Sequence, residues 1–132
     1  MRSKVMRSKD DAVKTDLADN LHTQLVGKKR FWLVDPADSK QLRPNGLFHG
    51  VPNGCAVDLE STSIEDDRAL GGLVVHEATL SPGDALYIPR GWWHHVRSVE
   101  SGISVNHWWA SGWRRAVVEG ADLFKKLRGV SR

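Results

Sequence analysis

With one cysteine, Cys55, in 132 residues, the chain can form no internal disulfide. Small secreted domains are commonly held together by several disulfides, so that class is excluded and a reducing, cytoplasmic setting is expected. Long hydrophobic runs are missing as well. No apolar stretch approaches the ~18 residues that cross a bilayer, which excludes a membrane-spanning helix. The opening MRSKVMRSKDD is basic, but no apolar segment follows it, so it does not read as a secretory signal. Apart from the short MRSK duplication there are no repeats, and a fibrous protein is excluded.

What remains is an ordinary globular composition, 40% hydrophobic and 27% charged, enough for one domain or part of one. The net charge of +3 conceals a division. Residues 1–9 carry Arg2, Lys4, Arg7 and Lys9 without an acid, and residues 110–132 also carry a net +4, so 10–109 has a net −5. A nucleic-acid footprint would more often sit on the folded body. Basic ends around an acidic body read first as solubilising tails, and nucleic-acid binding is the weaker reading.

Turn signals divide the chain into short strands. Residues 1–12 read as a disordered basic leader. Leu21, Thr23 and Leu25 alternate with polar neighbours, then Gly27-Lys28-Lys29 leads into Arg30–Val34, which predicts a hairpin of two strands. The tract 35–54 is rich in Pro, Gly, Asn and Asp and reads as a loop with a helical turn near Pro36–Lys40. Further strands are predicted at Ala56–Leu59, Leu73–Leu80, Ala85–Ile88, Trp93–Val99 and Ile103–Trp109, with a Pro-Gly-centred turn at Ser81–Asp84. Trp113, Val117, Ala121, Phe124 and Leu127 recur at near-helical spacing, so Gly112–Arg128 reads as an amphipathic helix. Many short strands between turn signals argue for an antiparallel sandwich or barrel.

The segment Gly83-Asp84-Ala85-Leu86-Tyr87-Ile88-Pro89-Arg90-Gly91-Trp92-Trp93-His94-His95-Val96 is the most informative. In a barrel, alternate residues face inward, so His94 and His95 must point to opposite sides. The segment resembles the second metal-ligand motif of the JmjC/cupin-like hydroxylases, a family of Fe(II)- and 2-oxoglutarate-dependent oxygenases. It is most similar to the branch acting on asparaginyl residues or modified tRNA bases. Asp16–Leu21, followed by Gln24–Arg30, resembles the segment with the first ligand motif and the 2-oxoglutarate lysine. Ser104–Trp109 resembles the final barrel strand. The likeness runs from about residue 14 to 111, which sets the expected division: leader 1–12, barrel domain 13–111, helix and basic tail 112–132.

The resemblance implies a double-stranded β-helix, the cupin or jelly-roll barrel, incomplete at its N-terminal side and followed by an α-helix. It implies two His and one carboxylate on one face of Fe(II), with open positions for 2-oxoglutarate and oxygen. By this resemblance, His94 would be the distal histidine and Asp16 the carboxylate. Lys29 would bind the far carboxylate of 2-oxoglutarate, Asn20 and Asn106 would add polar contacts, and Trp108 and Trp93 would wall the pocket. One position departs from the pattern. Two residues before Asp16, where the first histidine should stand, is Lys14. A protonated lysine brings a positive charge and no lone pair to a cation site. No other histidine is a convincing replacement: His22 lies six extended residues, roughly 20 Å, from Asp16, and His95 and His107 should point outward.

Two functions therefore stand side by side: an oxygenase domain with an impaired metal site, and a non-catalytic cupin-like binding module. The expected partners are an unidentified substrate (protein side chain, tRNA base or small molecule) and a second copy of the chain, pairing through an uncovered barrel edge.

Overall fold

The computed structural model describes residues 13–46, 49, 53–60, 72–113, 115–117, 119, 120 and 123. Among these, the chain runs β1 (Lys14–Thr15), β2 (Asp19–Val26), β3 (Lys29–Val34), a 3-10 turn (Pro36–Asp38), β4 (Val75–Leu80), β5 (Ala85–Ile88), β6 (Trp93–Ser98) and β7 (Ile103–Trp109). Trp113, Arg115–Val117, Glu119, Gly120 and Leu123 are helical. The strands form two antiparallel sheets, ordered β1-β6-β3-β4 and β5-β2-β7. This is the predicted mainly β jelly roll, followed by a short helix. The basic leader 1–12 and the tail beyond Leu123 lie outside the described residues.

The hairpin predicted over Asn20–Val34 does not form. Both strands are present, but β2 pairs with β5 and β7 while β3 pairs with β4 and β6. Each is a central strand with both edges taken, so neither has an edge left for the other. The chain changes sheets at Gly27, whose φ of +73° suits glycine. There it passes so close to the β6–β7 turn that a Cβ on Gly27 would lie 2.4 Å from the Ser101 carbonyl oxygen. The Lys28 carbonyl accepts from the backbone N–H groups of Val99 and Glu100, holding the crossing in place.

The turn at Pro36–Asp38 forms as predicted, capped by the Asp35 carboxylate, which accepts from the Ala37 N–H. Ser81–Asp84 is also a turn, closed by the Asp84 N–H donating to the Ser81 carbonyl, with Gly83 at φ +96°. The strand predicted at Ala56–Leu59 is absent. Only isolated bridges, Lys14 with Gly54 and Pro44 with Cys55, join this segment to the rest. Leu59 and Cys55 are instead buried against the outside of the first sheet.

That packing explains the uninterrupted apolar run Phe31–Val34. As in any strand covered on both faces, alternation disappears. On one side Phe31 and Leu33 meet Leu80 and Ile88 between the sheets. On the other, Trp32 and Val34 join Val13, Leu42, Cys55, Leu59 and Trp93 beneath the loop layer. The chain thus has two apolar cores, one inside the barrel and one outside it.

Candidate metal and cosubstrate site

Strand register determines which side chains share the barrel interior. Across the first sheet, Lys14 stands opposite His94, and His94 opposite Leu33. Because side chains alternate along a strand, Phe31 and Lys29 follow Leu33 on the same inward face. Across the second sheet, Asn20 faces Trp108 and Ile88, His22 faces Asn106 and Leu86, and Gln24 faces Ser104. Asn20, His22 and Gln24 are all buried, and the His22 ring meets Phe31 edge-on at 4.8 Å, which confirms that this row looks inward.

At one end of the interior, Asp16 Oδ2 lies 3.7 Å from His94 Nε2. Asp16 is held by its own backbone, its carbonyl accepting from the Gly91 N–H in the turn before β6. His94 Nδ1 lies 3.3 Å from the Trp92 carbonyl. A proton on Nδ1 donated to that carbonyl leaves the Nε2 lone pair aimed at Asp16, the orientation a metal-ligating imidazole needs. Burial pushes the His94 pKa below its ordinary value. The Asp16 carboxylate and the Trp92 carbonyl oppose that shift, and the charges of Lys14 and His95 reinforce it. The ring is therefore neutral at neutral pH.

Further along the interior, Lys29 Nζ donates to Ser104 Oγ at 2.7 Å, spanning the two sheets. Burial lowers its pKa from the ordinary lysine value. Asn20 is 4% exposed, and its Oδ1 is a buried atom with no hydrogen-bond partner. His22 lies within 3.3 Å of Gln24 Oε1, and burial lowers its pKa as well. Trp108 is half-exposed on the inward face opposite Asn20.

Most of the residues singled out in the sequence share this interior: Lys14, Asp16, Asn20, Lys29, His94, Asn106 and Trp108. Trp93 does not. It was expected to wall the pocket, but it precedes His94 on β6 and so faces the other way. At 4% exposure it is buried in the outer core, with Nε1 donating to Ser39 Oγ. His95 points outward as expected, yet it is covered, because its Nε2 meets Glu60 Oε1 under the loop layer. The same carboxylate pairs with Arg97. Three interior polar residues, His22, Gln24 and Ser104, did not stand out as site residues in the sequence. Their signal was the period of two from Asn20 and Asn106.

The donor set is one short of the implied iron site. A facial triad needs three protein ligands. Asp16 and His94 lie together, but two residues before Asp16 stands Lys14, opposite His94, and its charge acts on that ring. Among the described residues, no group of three or more His, Cys, Asp or Glu side chains could hold a metal ion. The residues present therefore do not make a complete Fe(II) triad.

Comparison with known proteins agrees with the fold. The cupin-like domain family matches residues 7–114. The chain is 36% identical over 115 residues to the lysine-specific demethylase JMJ31 of Arabidopsis thaliana, covering 86% of this chain and 21% of that protein. It is 35% identical over 94 residues to the Jumonji C domain-containing protein 5 of Drosophila melanogaster, covering 71% of this chain and 23% of that one. With the tRNA wybutosine-synthesizing protein 5 of Mus musculus it shares 35% identity over 94 residues, 71% of this chain and 28% of the relative. The chain thus spans between a fifth and three tenths of these relatives' lengths. A two-sheet jelly roll with inward-facing Asp16, His94 and Lys29, matched over most of its length, belongs to the JmjC/cupin-like family.

Proposed function

We propose that the chain carries the cosubstrate pocket of an Fe(II)- and 2-oxoglutarate-dependent oxygenase domain whose metal site is one protein ligand short. The observation that carries this reading is the Asp16–His94 pair, 3.7 Å apart, on the same interior as the cross-barrel lysine Lys29. Asp16 and His94 are the ligands the chain retains. Lys29 would hold the far carboxylate of 2-oxoglutarate, with Asn20 and Asn106 as polar contacts and Trp108 as the wall. Iron and 2-oxoglutarate together supply oxidative hydroxylation of a C–H bond in a complete site of this kind. With Lys14 at the third position, no step through the metal follows from these residues.

The substrate classes proposed are a protein side chain, a tRNA base or a small molecule. The names of the relatives, a lysine-specific demethylase and a tRNA wybutosine-synthesizing protein, support the first two. No helix among the described residues is long and apolar enough to cross a membrane. A cytoplasmic location belongs to the same proposal, supported by the single, buried Cys55.

The test is Fe(II)- and 2-oxoglutarate-dependent succinate production by the wild type and by Lys14→His. The expected result is no turnover by the wild type and turnover by the variant. Silence in both overturns the oxygenase reading. The second reading, a non-catalytic binding module, rests only on the lysine at the ligand position. That reading falls if the wild type turns over.

A further inference from the structure

Among the described residues the two sheets end on four strands, β1, β4, β5 and β7. A free edge invites pairing with another chain unless it is short or carries charge or proline. β1 and β5 have only two and four residues, and β4 carries Glu77, which pairs with Arg30. β7 has seven residues, Ile-Ser-Val-Asn-His-Trp-Trp, with no Lys, Arg, Asp, Glu or Pro. β2 takes the backbone hydrogen bonds on one side of β7, and among the described residues the other side is open. Both faces are open too. Outward-pointing Val105 and Trp109 are exposed, and so are inward-pointing Asn106 and Trp108.

The strand fits a second copy of itself. Two antiparallel β7 strands pair all seven residues when the two-fold axis passes between the two Asn106 residues. Ile103 then faces Trp109, Val105 faces His107 and Ser104 faces Trp108, each pair on one face of the sheet. β-branched residues meet aromatic rings, a favourable cross-strand combination, and no like charges are opposed.

The same symmetry joins two other exposed apolar features. The described residues of the helix after β7 are all exposed, Trp113 by 75%. Trp113 stands four residues past Trp109, a span of at most ~14 Å. In the pair, Trp109 lies beside the partner's Ile103, which is in register with Val26 at the end of β2. Val26, Val99 and Ile103 are each more than half exposed at that end. The apolar side chains of this surface average about half exposed, so at ~150–250 Å² for a large side chain they offer about 600 Å² per copy. Together with the strand backbone, that approaches the ~800 Å² each partner gives to a standard interface.

We infer that the chain forms a two-fold dimer in which β7 pairs antiparallel with β7 of a second copy, centred on Asn106, and each helix docks through Trp113 on the Val26, Val99 and Ile103 surface of its partner. The two three-stranded sheets become one of six strands. The partner's Trp108 then stands against Ser104, whose hydroxyl accepts from Lys29, so each copy closes the open side of the other's interior. The pairing does not depend on what that interior binds.

Sedimentation velocity and cysteine cross-linking of the full chain test it. The wild type should dimerise. His107→Lys, which sets a charge on the paired strand, should raise the dimer dissociation constant roughly tenfold or more. Trp113→Ala should raise it several-fold, and Thr79→Lys, on the β4 edge, should leave it unchanged. Under mild oxidation Asn106→Cys should give a disulfide-linked dimer, because facing Cα atoms lie ~4.5–5.5 Å apart. Ile103→Cys should not, since its own counterpart lies six residues, roughly 20 Å, along the strand. The wild type, whose one cysteine is the buried Cys55, should also stay unlinked.

A monomer at every concentration, a folded Asn106→Cys that forms no disulfide, or equal cross-linking by Ile103→Cys overturns the pairing. So does a His107→Lys dimer as tight as the wild type, and this result decides if Asn106→Cys fails to melt cooperatively in reductant. A Trp113→Ala dimer as tight as the wild type overturns the helix contact.

Discussion

Phe31 and Trp32 are neighbours in the chain and belong to different cores. Phe31 is buried between the two sheets with Leu33, Leu80 and Ile88, and Trp32 is buried outside the barrel with Val34, Leu42 and Trp93. The Trp32 indole N–H also donates to Glu77, whose carboxylate pairs with Arg30, and Arg30 lies over the indole ring. One strand thus serves as the floor of the pocket and as the platform on which the loop layer rests.

Truncating either residue should cost about 3–5 kcal/mol, the range for removing a buried aromatic side chain. Urea denaturation of Phe31→Ala, Trp32→Ala and the double variant would measure this. Because the two rings share no core, the losses should add to within ~0.5 kcal/mol. An interaction energy above ~1 kcal/mol would contradict two separate cores.

The sheet crossing should tolerate no side chain. A Cβ on Gly102 would lie 1.9 Å from the Val26 carbonyl oxygen, a backbone atom that cannot swing aside. Gly102→Ala should therefore destabilise the protein by about 1–3 kcal/mol. Gly46→Ala, with nothing within 4 Å of the added carbon, should melt within ~1 °C of the wild type. Equal melting temperatures for the two variants would show that the crossing is not tight.

Acid should weaken the fold through His22. Burial lowers its pKa, aided by the charge of Lys29 and opposed by hydrogen bonds to Gln24 and Asn106. Below its ordinary value of 6.5, the unfolded chain takes up a proton that the folded chain still refuses. Stability is full above that pH and declines as pH falls toward the lowered folded value. Melting temperature measured from pH 7.5 to 5 should fall, and His22→Gln should flatten the decline. His94, lowered by burial in the same direction, should keep part of the slope. An unchanged slope in His22→Gln would remove His22 as the cause.

The outer face of the second sheet is expected to support self-association. Leu21, Tyr87, Val105 and Trp109 share that face and are exposed, and Tyr87 stacks on Trp109 at 5.9 Å. Among the described residues β7 is also an edge strand, where pairing with a second copy is expected. Sedimentation velocity across a concentration series should show association that Val105→Lys reduces. A concentration-independent monomer would reject the expected homodimer.

Strand positions were largely legible in the sequence because turn residues and alternation are local signals. β2, β3, β5, β6 and β7 lie within a residue or two of where Leu21–Leu25, Arg30–Val34 and the later apolar segments placed them. Pairing was not legible. Whether Leu25 and Arg30 belong to a hairpin or to two sheets depends on pairing with distant strands, β5 and β7 for β2 and β4 and β6 for β3. Ala56–Leu59 has strand-like residues, yet it runs as irregular chain that buries Leu59 in the outer core while Ala56 and Asp58 stay exposed. Parity set His94 and His95 on opposite sides and the resemblance put His94 inward; the same alternation turns its neighbour Trp93 outward, into the core beneath the loop layer and away from the pocket where it was expected.

By itself the sequence determined the jelly-roll class, the family, the residues Asp16, Lys29 and His94, and the lysine that stands where a first histidine ligand would. An antiparallel sandwich or barrel follows from short-range spacing, and the jelly-roll class, the family and these residues follow from the resemblance of the motifs that carry them. Only the tertiary structure decided that Lys14 sits opposite His94, that Lys29 crosses the barrel to Ser104, and that the apolar run Phe31–Val34 divides between two cores. Such relationships arise from strand register and sheet packing, which join residues tens of positions apart and leave no local trace.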